Sequence, residues 1–426
     1  MANHQLPPTE EETWPRTNSP GPTGEPVFLS AFPSQVALRI PKSGEVVGRE
    51  WFLQAGLSDG KVSREHLRFT RPGGNFCVTD VGSKLGTYVD GYKLEPNKPV
   101  SLEDGAILRL GQTILVYREE FDGPLTPQPP LGDLTAPWTL NAIRKKLGGL
   151  RVDPRIKMNI LIEGPTGAGK ELLAREIARV LGRKDHYVRL NISSIPHNLF
   201  EGHLFGWQKG VFTGAVESNA GVLGSTHKGA VFFDEIEALP LELQPKLLRY
   251  LENREVFPMG AREPIRVDTV VIAATNESLD GKIEARAFRR DMLERFLIRF
   301  ELPGLEERPE DIFAIFDKIW RHYHGSLEVS QINPEVVELM MRHNWPGNVR
   351  EIERLVIAAD RTAGLNLSLV QRELRIPLDA MPKKAVPLTR ESVEHALKTC
   401  PSEVKAAHFL GVDRAKLRRW RERNGV

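Results

Sequence analysis

From residue 27 to about 118 the apolar positions fall in short runs (VALRI, HLRF, FCVTDV, TYVDG, AILRL and TILVYR) broken at close spacing by Gly, Asp and Pro. Such runs bounded by turn formers predict a succession of short strands, the pattern of an all-β sandwich or barrel. From about 138 to 380 the pattern changes: apolar strand candidates NILIEG, YVRLNI, AVFFDEI and VVIAATN alternate with amphipathic stretches such as ELLAREIARVLG and LQPKLLRYLEN. That alternation predicts a parallel sheet covered by helices. After Pro303 the strand signals stop, and helical patterns predict a helical subdomain to about residue 380. Residues 1–26 have the Pro, Gly, Thr and Glu content of a disordered tail, 119–137 read as a Pro-rich linker, 381–389 as a second linker, and 390–426 as a short helical terminus. The expected fold is therefore multidomain: an N-terminal all-β sandwich, a central α/β domain with a helical lid, and a helical C-terminal module.

Length agrees with several domains, since 426 residues exceed what one core usually organises. The 58 Lys and Arg nearly balance the 56 Asp and Glu, so net charge alone indicates neither a nucleic-acid nor a membrane-surface protein. The average conceals an asymmetry. Residues 383–426 carry 11 basic against five acidic side chains, or +6, which leaves −4 for everything before them. Two cysteines, Cys77 and Cys400, cannot build a disulfide framework, and no apolar run approaches the roughly 18–20 residues of a membrane span. The N-terminus has the features of neither a signal nor a transit peptide, and the expected location is cytoplasmic.

The strand NILIE runs into Gly164, Pro165, Thr166, Gly167, Ala168, Gly169 and Lys170, and then into a helix. A glycine-rich turn between strand and helix aims successive backbone N–H groups at phosphate oxygens, and the lysine neutralises charge near the β- and γ-phosphates. Glu171 stands where a Mg²⁺-ligating Ser or Thr is usual in such loops. Further on, the strand AVFF ends in Asp234 and Glu235. A carboxylate at that position can hold Mg²⁺ while its neighbour orients or deprotonates the attacking water, so the pair of motifs points to ATP hydrolysis.

In the basic terminus, VKAAHFLGVDRAKLRRWRERNG reads as a helix, a turn at Gly411, a cap at Asp413 and a second helix, the geometry of a helix-turn-helix. Leu410, Val412, Leu417 and Trp420 can pack inside, leaving Arg414, Lys416, Arg418 and Arg419 for DNA bases or phosphates.

Several of these segments, in order, resemble the AAA+ domain of the sigma-54-dependent transcription activators, the bacterial enhancer-binding proteins, over residues 138–380. LFGWQKGVFTGA is similar to that family's GAFTGA loop, with Val211 for the usual alanine; GAVFFDEI, VIAATN, FRRDMLERF, LPGLEERPEDI and WPGNVREIERL follow, and the GKE ending at Glu171 fits the same pattern. The resemblance implies that Lys170 binds phosphate, Asp234 holds Mg²⁺, Glu235 activates water and Asn191 restrains Glu235. It further implies that Asn276 is the first sensor, Arg350 the second, and that Arg289 and Arg295 reach the nucleotide of a neighbouring subunit. Hydrolysis would then depend on a homo-oligomer, a hexameric ring by analogy. Gly210, Val211, Phe212, Thr213, Gly214 and Ala215 would contact sigma-54, and the terminus resembles the family's Fis-type DNA-binding module.

Residues 27–118 resemble a forkhead-associated (FHA) domain through Gly48-Arg49, SREH at Ser63 to His66, and GSKLGTYVDG at Gly82 to Gly91. The resemblance implies phosphothreonine binding by Arg49 and Ser63, with Arg64 and Lys84 nearby, while His66 reads as a structural loop residue. Leu85 occupies the place of the asparagine that in this family holds the phosphopeptide backbone, and leucine cannot supply those hydrogen bonds. The implied protein is an ATP- and Mg²⁺-dependent activator of sigma-54 RNA polymerase, bound to upstream DNA and answering to a phosphothreonine protein or Ser/Thr kinase. The alternatives are a phosphoprotein-binding AAA+ scaffold or chaperone, and a DNA-binding repressor of the same architecture.

Overall fold

The computed structural model describes residues 24–151, 157–326, 328–359, 365–376 and 390–399, and beyond these Ala406, Leu410, Leu417, Trp420 and Arg421. Its N-terminal part is the expected sandwich. One antiparallel sheet has the order β2 (Ala37–Arg39), β1 (Val27–Phe32), β10 (Thr113–Arg118), β9 (Ile107–Leu110), β6 (Thr87–Val89), β7 (Tyr92–Lys93). The other has the order β3 (Val46–Val47), β4 (Leu67–Thr70), β5 (Cys77–Asp80), β8 (Val100–Ser101), and a short helix α1 (Arg49–Gln54) follows β3. Phe28, Phe52, Phe69, Val78, Leu108, Leu115 and Tyr117 fill the space between the sheets.

β1 and β10 depart from sandwich alternation. A strand with one wet face alternates buried and exposed positions, yet every residue of VFLSAF and of TILVYR is buried. The outer face of this sheet must therefore be covered too. Its cover is the helical subdomain: Ala31, Phe32, Ile107, Ile114 and Val116 share one apolar cluster with Ile312, Phe313, Phe316, Val337 and Met340.

The central sheet is parallel, in the order β12 (Tyr187–Asn191), β13 (Gly229–Asp234), β16 (Thr269–Thr275), β11 (Asn159–Glu163), β17 (Ile298–Glu301). Period-two alternation serves both of its faces. Ile160, Ile162, Phe232 and Ile272 pack on α3 (Lys170–Val180) through Leu173, Ala174 and Ile177. Leu161, Val231, Phe233 and Val271 face the opposite way, toward Leu247 and Leu251 of α6 (Gln244–Asn253) and Met292 of α8 (Arg290–Leu293). Smaller elements complete this domain: α2 (Asn141–Gly148), α4 (Phe200–Phe205), α5 (Gly221–Ser225), α7 (Leu279–Glu284) and the hairpin β14 (Glu255–Val256) with β15 (Ile265–Arg266).

The helical subdomain after Pro303 comprises α9 (Pro309–His324), α10 (Pro334–Arg342), α11 (Asn348–Ala358) and α12 (Leu367–Glu373). The Pro-rich segment 119–137 lies against the protein, with Leu131, Leu134 and Ala136 buried in the core of the central domain. At the C-terminus α13 (Arg390–Thr399) contributes Val393 and Ala396 to a small buried cluster with Ala406, Leu410 and Leu417, against which Leu397 and Trp420 pack. Arg414, Lys416, Arg418, Arg419 and Val412 lie outside the described residues, as does Cys400.

Candidate ATP site and its satellites

Parallel sheets gather functional groups at the C-terminal ends of their strands, and here the candidate residues converge on one such edge. β11 ends at Glu163 and hands the chain to Gly164–Gly169, and α3 begins at Lys170. The loop is shaped by neighbours on both sides. Gly164 N–H donates to the Thr275 carbonyl at the end of β16 (3.3 Å), and Val349 N–H donates to the Gly167 carbonyl (3.1 Å). Gly167 has φ +75°, and a Cβ there would collide with the carbonyl oxygen of Gly347. Only glycine lets the lid backbone approach this closely.

Lys170 is buried, and its Nζ donates to the carbonyls of Gly164 (2.7 Å) and Pro165 (3.0 Å). Burial lowers its pKa, and Asp234 and Glu237 work against that shift, so both carboxylates lie close enough for their charge to bear on the lysine. Asp234 closes β13, and Glu235 follows in the left-handed region at φ +58°, an uncommon conformation for a non-glycine residue. Among the described residues no group of three or more His, Cys, Asp or Glu forms a metal cage. One strand-end carboxylate beside a phosphate loop suits Mg²⁺ nevertheless, since that ion is usually held by one or two carboxylates together with substrate phosphates.

The remaining expectations fall in three groups. Arg350, on α11, is brought to the loop: its Cγ lies in van der Waals range of the position a Gly167 Cβ would take. Asn276 follows β16, next to the loop strand, and its backbone N–H donates to Glu237 (3.3 Å). Asn191 is in register with Asp234 across β12 and β13, but its Oδ1 accepts from Ser193 (2.8 Å) rather than bonding Glu235. Arg289 pairs with Asp291 (2.6 Å) and Arg295 with Glu252 (2.8 Å). Both are half exposed, and neither bonds the phosphate loop of its own chain.

Two residues here escaped the sequence reading. Arg189, two positions before Asn191 on β12, pairs with Glu171 and reaches Asp234 at 3.3 Å. Glu171 also pairs with Arg175 (2.7 Å), which gives it a role at the helix start other than metal ligation. Asn348, at the start of α11 with φ +49°, donates from Nδ2 to the Thr166 carbonyl (2.9 Å) and accepts at Oδ1 from Leu305 N–H (2.8 Å). The only available signal for it was an Asn after Pro-Gly at a helix start.

The loop from Gly206 to Asn219 is pinned at its base and open at its tip. Trp207 and Asn219 exchange backbone hydrogen bonds at 2.8 Å, and Gln208 N–H donates to the Met259 carbonyl of a second loop (2.9 Å). At the tip, Gly210 N–H donates to Ala215 (2.8 Å) and Ala215 N–H to Phe212 (3.0 Å), making a tight turn. Val211, Thr213 and Gly214 are exposed, and Phe212 is 46% exposed with its ring edge-on to Trp207 at 5.6 Å.

In the sandwich, Ser63 Oγ accepts from Lys84 N–H (3.1 Å), joining the two loops of the candidate phosphate site. Arg49 N–H donates to the Ser63 carbonyl (2.9 Å), and its guanidinium bonds the carbonyls of Gly60 (2.8 Å) and Val62 (3.1 Å). Arg64 is exposed beside them, and its carbonyl lies so close to Gly48 that no Cβ fits. His66 is buried, accepts at Nδ1 from Ser63 N–H (3.1 Å), and is held below its usual pKa by burial, against the pull of Asp80. It is thus a neutral loop support. Leu85 is 45% exposed, on the loop where an asparagine would face a peptide.

Comparison with known proteins agrees with this anatomy. A sigma-54 interaction domain model matches residues 141–301, an AAA+ ATPase lid domain model 306–377, and an FHA domain model 46–111. The pathogenicity-locus probable regulatory protein HrpS of Pseudomonas savastanoi pv. phaseolicola is 36% identical over 202 residues, 47% of this chain and 67% of HrpS. The chain belongs to the sigma-54-dependent transcriptional activator family. Within that family, the DNA-binding transcriptional activator HyfR of Escherichia coli (strain K12) is 42% identical over 226 residues, 51% of this chain. The chain spans about a third of HyfR, and between a third and under half of other long relatives. Among solved structures, NtrX from Brucella abortus in complex with ADP aligns with TM-score 0.50 and 26% identity, over 70% of each chain. Among the described residues of this family member, no helix is long and apolar enough to cross a membrane.

Proposed function

We propose that this family member is an ATP-driven activator of sigma-54 RNA polymerase, with an FHA domain as its sensor and a C-terminal helix-turn-helix as its DNA anchor. The observation that carries the reading is the junction of Gly167 and Arg350, where the lid closes on a phosphate loop opposite Asp234. NtrX, of similar fold, was crystallised with ADP. The backbone N–H groups before Lys170 would bind the phosphates of ATP, and Lys170 would leave the Gly164 and Pro165 carbonyls to neutralise them. Asp234 would hold Mg²⁺, which when bound offsets charge on the transferring phosphoryl group. Glu235 would take the proton of the attacking water, and Asn276 and Arg350 would report the γ-phosphate to the sheet and the lid. Arg289 and Arg295, half exposed and away from their own loop, suit a role at the nucleotide of the next subunit of a ring, so that hydrolysis requires assembly.

The work would be delivered by Gly210–Ala215. An exposed Phe212 beside Thr213, on a turn braced at its base by Trp207 and Met259, can press on a partner without unfolding. Upstream DNA would be held through Arg414, Lys416, Arg418 and Arg419; the buried cluster of Val393, Ala406, Leu410 and Leu417 supports a compact helical module there. Arg49, Ser63, Arg64 and Lys84 would bind a phosphothreonine protein, such as a Ser/Thr kinase or its substrate. The test is open-complex formation at a sigma-54 promoter: Thr213→Ala should keep ATP hydrolysis and lose promoter opening. A scaffold, chaperone or repressor would hydrolyse ATP without opening the promoter in either form.

A further inference from the structure

The turn that starts the lid, Arg308-Pro309-Glu310-Asp311, is buried throughout, and its three charged residues face three different parts of the chain. Glu310 faces the FHA domain. Arg118, the last residue of β10, donates from Nε and Nη2 to the two carboxylate oxygens of Glu310 (3.0 and 2.7 Å), from Nη1 to Asp104 (3.0 Å) and from Nη2 to the Glu307 carbonyl (2.9 Å). Asp311 faces the segment that joins the two domains: it accepts from Trp138 N–H (3.1 Å) and from the Thr139 hydroxyl. Arg308 faces the phosphate loop, and its Nη2 donates to the Ala168 carbonyl (3.2 Å), two residues before Lys170.

A second ion cluster holds the same interface. Arg109 on β9 donates to Glu338 of α10 (2.7 Å), with Glu335 at 3.7 Å and the Tyr88 ring 3.8 Å beneath the guanidinium. Between the two clusters Phe32 meets Phe313 edge-on at 4.8 Å, and the apolar cluster already described continues from sheet to lid. An interface that combines a shared apolar core with buried, multiply bonded ion pairs fixes orientation as well as contact, because a buried charge displaced from its partner is costly. The FHA domain is thus seated rigidly on the lid, and the turn beneath that seat touches the loop that would bind ATP.

We infer that Arg308 is a positioning residue for the phosphate loop, and that its position is set by the seat of the FHA domain through Arg118 and Glu310. The inference rests on the ATPase reading and extends it, since it assigns the route by which a sensor far from the nucleotide governs nucleotide affinity. Among the described residues, Arg308 makes its one hydrogen bond to the loop at the Ala168 carbonyl. Its loss therefore weakens nucleotide binding and spares the chemical step performed at Glu235. Arg118 bonds Glu310, the Glu307 carbonyl and Asp104 and no residue of the phosphate loop, so the inference routes any effect of its removal on binding through the turn.

The experiment uses the full chain, with steady-state ATP hydrolysis and direct binding of a fluorescent ADP analogue, at matched far-UV circular dichroism and thermal midpoint. Arg308→Met should raise both the KM for ATP and the Kd for the ADP analogue roughly tenfold, within the usual span of intramolecular coupling, with kcat within about twofold of wild type. Arg308→Lys, which retains a donor for the carbonyl, should recover part of the loss. Arg118→Met combined with Glu310→Gln, which removes both charges of that pair together and also takes one bond from Asp104, should shift KM and Kd in the same direction. Adding Arg308→Met to that pair should give less than the product of the two effects. If Arg308→Met does not fold, the Arg118/Glu310 pair alone carries the test through KM, Kd and hydrogen exchange of residues 164–170, which should become faster. Wild-type KM, Kd and exchange in the pair, or fully multiplicative effects, overturn the inference while leaving the ATPase reading intact. A wild-type chain that neither binds the ADP analogue nor hydrolyses ATP overturns the ATPase reading itself.

Discussion

Asn348 Nδ2 donates to the carbonyl of Thr166 at 2.9 Å, so a lid residue holds the phosphate loop by a side-chain bond while its Oδ1 receives Leu305 N–H. Replacing it with alanine takes the partner from the buried Leu305 N–H and one bond from the part-buried Thr166 carbonyl, a loss of about 1–3 kcal/mol by the usual cost of such groups. Asn348→Ala should lower the urea midpoint of the full chain and weaken ADP binding in parallel. A variant of unchanged midpoint and unchanged ADP affinity would show that lid and loop are held by other means.

On the proposed function, the GVFTGA loop separates stability from activity. Phe212 is half exposed and, among the described residues, its one ring contact is Trp207, so Phe212→Ala should change the thermal midpoint little, as surface substitutions do. With Phe212 as the proposed pressing surface, promoter opening should nevertheless fall by at least an order of magnitude. Equal opening rates for wild type and Phe212→Ala remove this loop from the mechanism.

Burial, reinforced by the neighbouring Glu310 carboxylate and opposed by Arg308, pushes the Asp311 carboxyl up to about 7. In the unfolded chain that proton leaves near pH ~4. Between about 4 and 7 the folded state therefore binds a proton that the unfolded state lacks, and the stability from Asp311 is full below that window and is lost as pH rises through it. Asp311→Asn removes the titration. Denaturation at pH values across the window should show wild-type stability declining relative to Asp311→Asn as pH rises, and parallel curves would refute the assignment.

Leu85 gives the FHA domain a gain-of-function test. With Ser63 Oγ bonded to Lys84 N–H the two loops of the candidate phosphate site are joined, and on the proposed reading the group they lack is an amide for the peptide backbone. Leu85→Asn should raise affinity for phosphothreonine peptides severalfold, and Arg49→Ala should abolish the phosphate-dependent part of binding. Isothermal titration with phosphorylated and unphosphorylated peptides decides it. The absence of any phosphate-dependent signal in wild type and in Leu85→Asn would leave the domain with its lid-binding role alone.

The parts of the fold written in local pattern were legible in the sequence. The phosphate loop, the Asp234 strand end, the Pro303 boundary and the short strands of the sandwich each depend on residues close together in the chain. What was not legible depends on tertiary approach. Arg189, Asn348 and Arg308 are ordinary polar residues until the fold brings them to Asp234, Thr166 and Ala168. The docking of sandwich on lid left one trace, the apolar character of VFLSAF, broken only at Ser30, and of much of TILVYR, which reads as a strand core until both faces are known to be covered. Asn191 shows the opposite limit: it was expected to restrain Glu235, and although the fold sets it in register with Asp234, its side-chain oxygen accepts from Ser193.

Reconstituted transcription tests the account most directly. With sigma-54 RNA polymerase, a promoter bearing an upstream site for this protein, and ATP, the full chain should yield transcripts, and Lys170→Ala should yield none while still binding the DNA. Transcripts of equal amount from wild type and Lys170→Ala, or none from wild type with ATP hydrolysis intact, would contradict an ATP-driven activator.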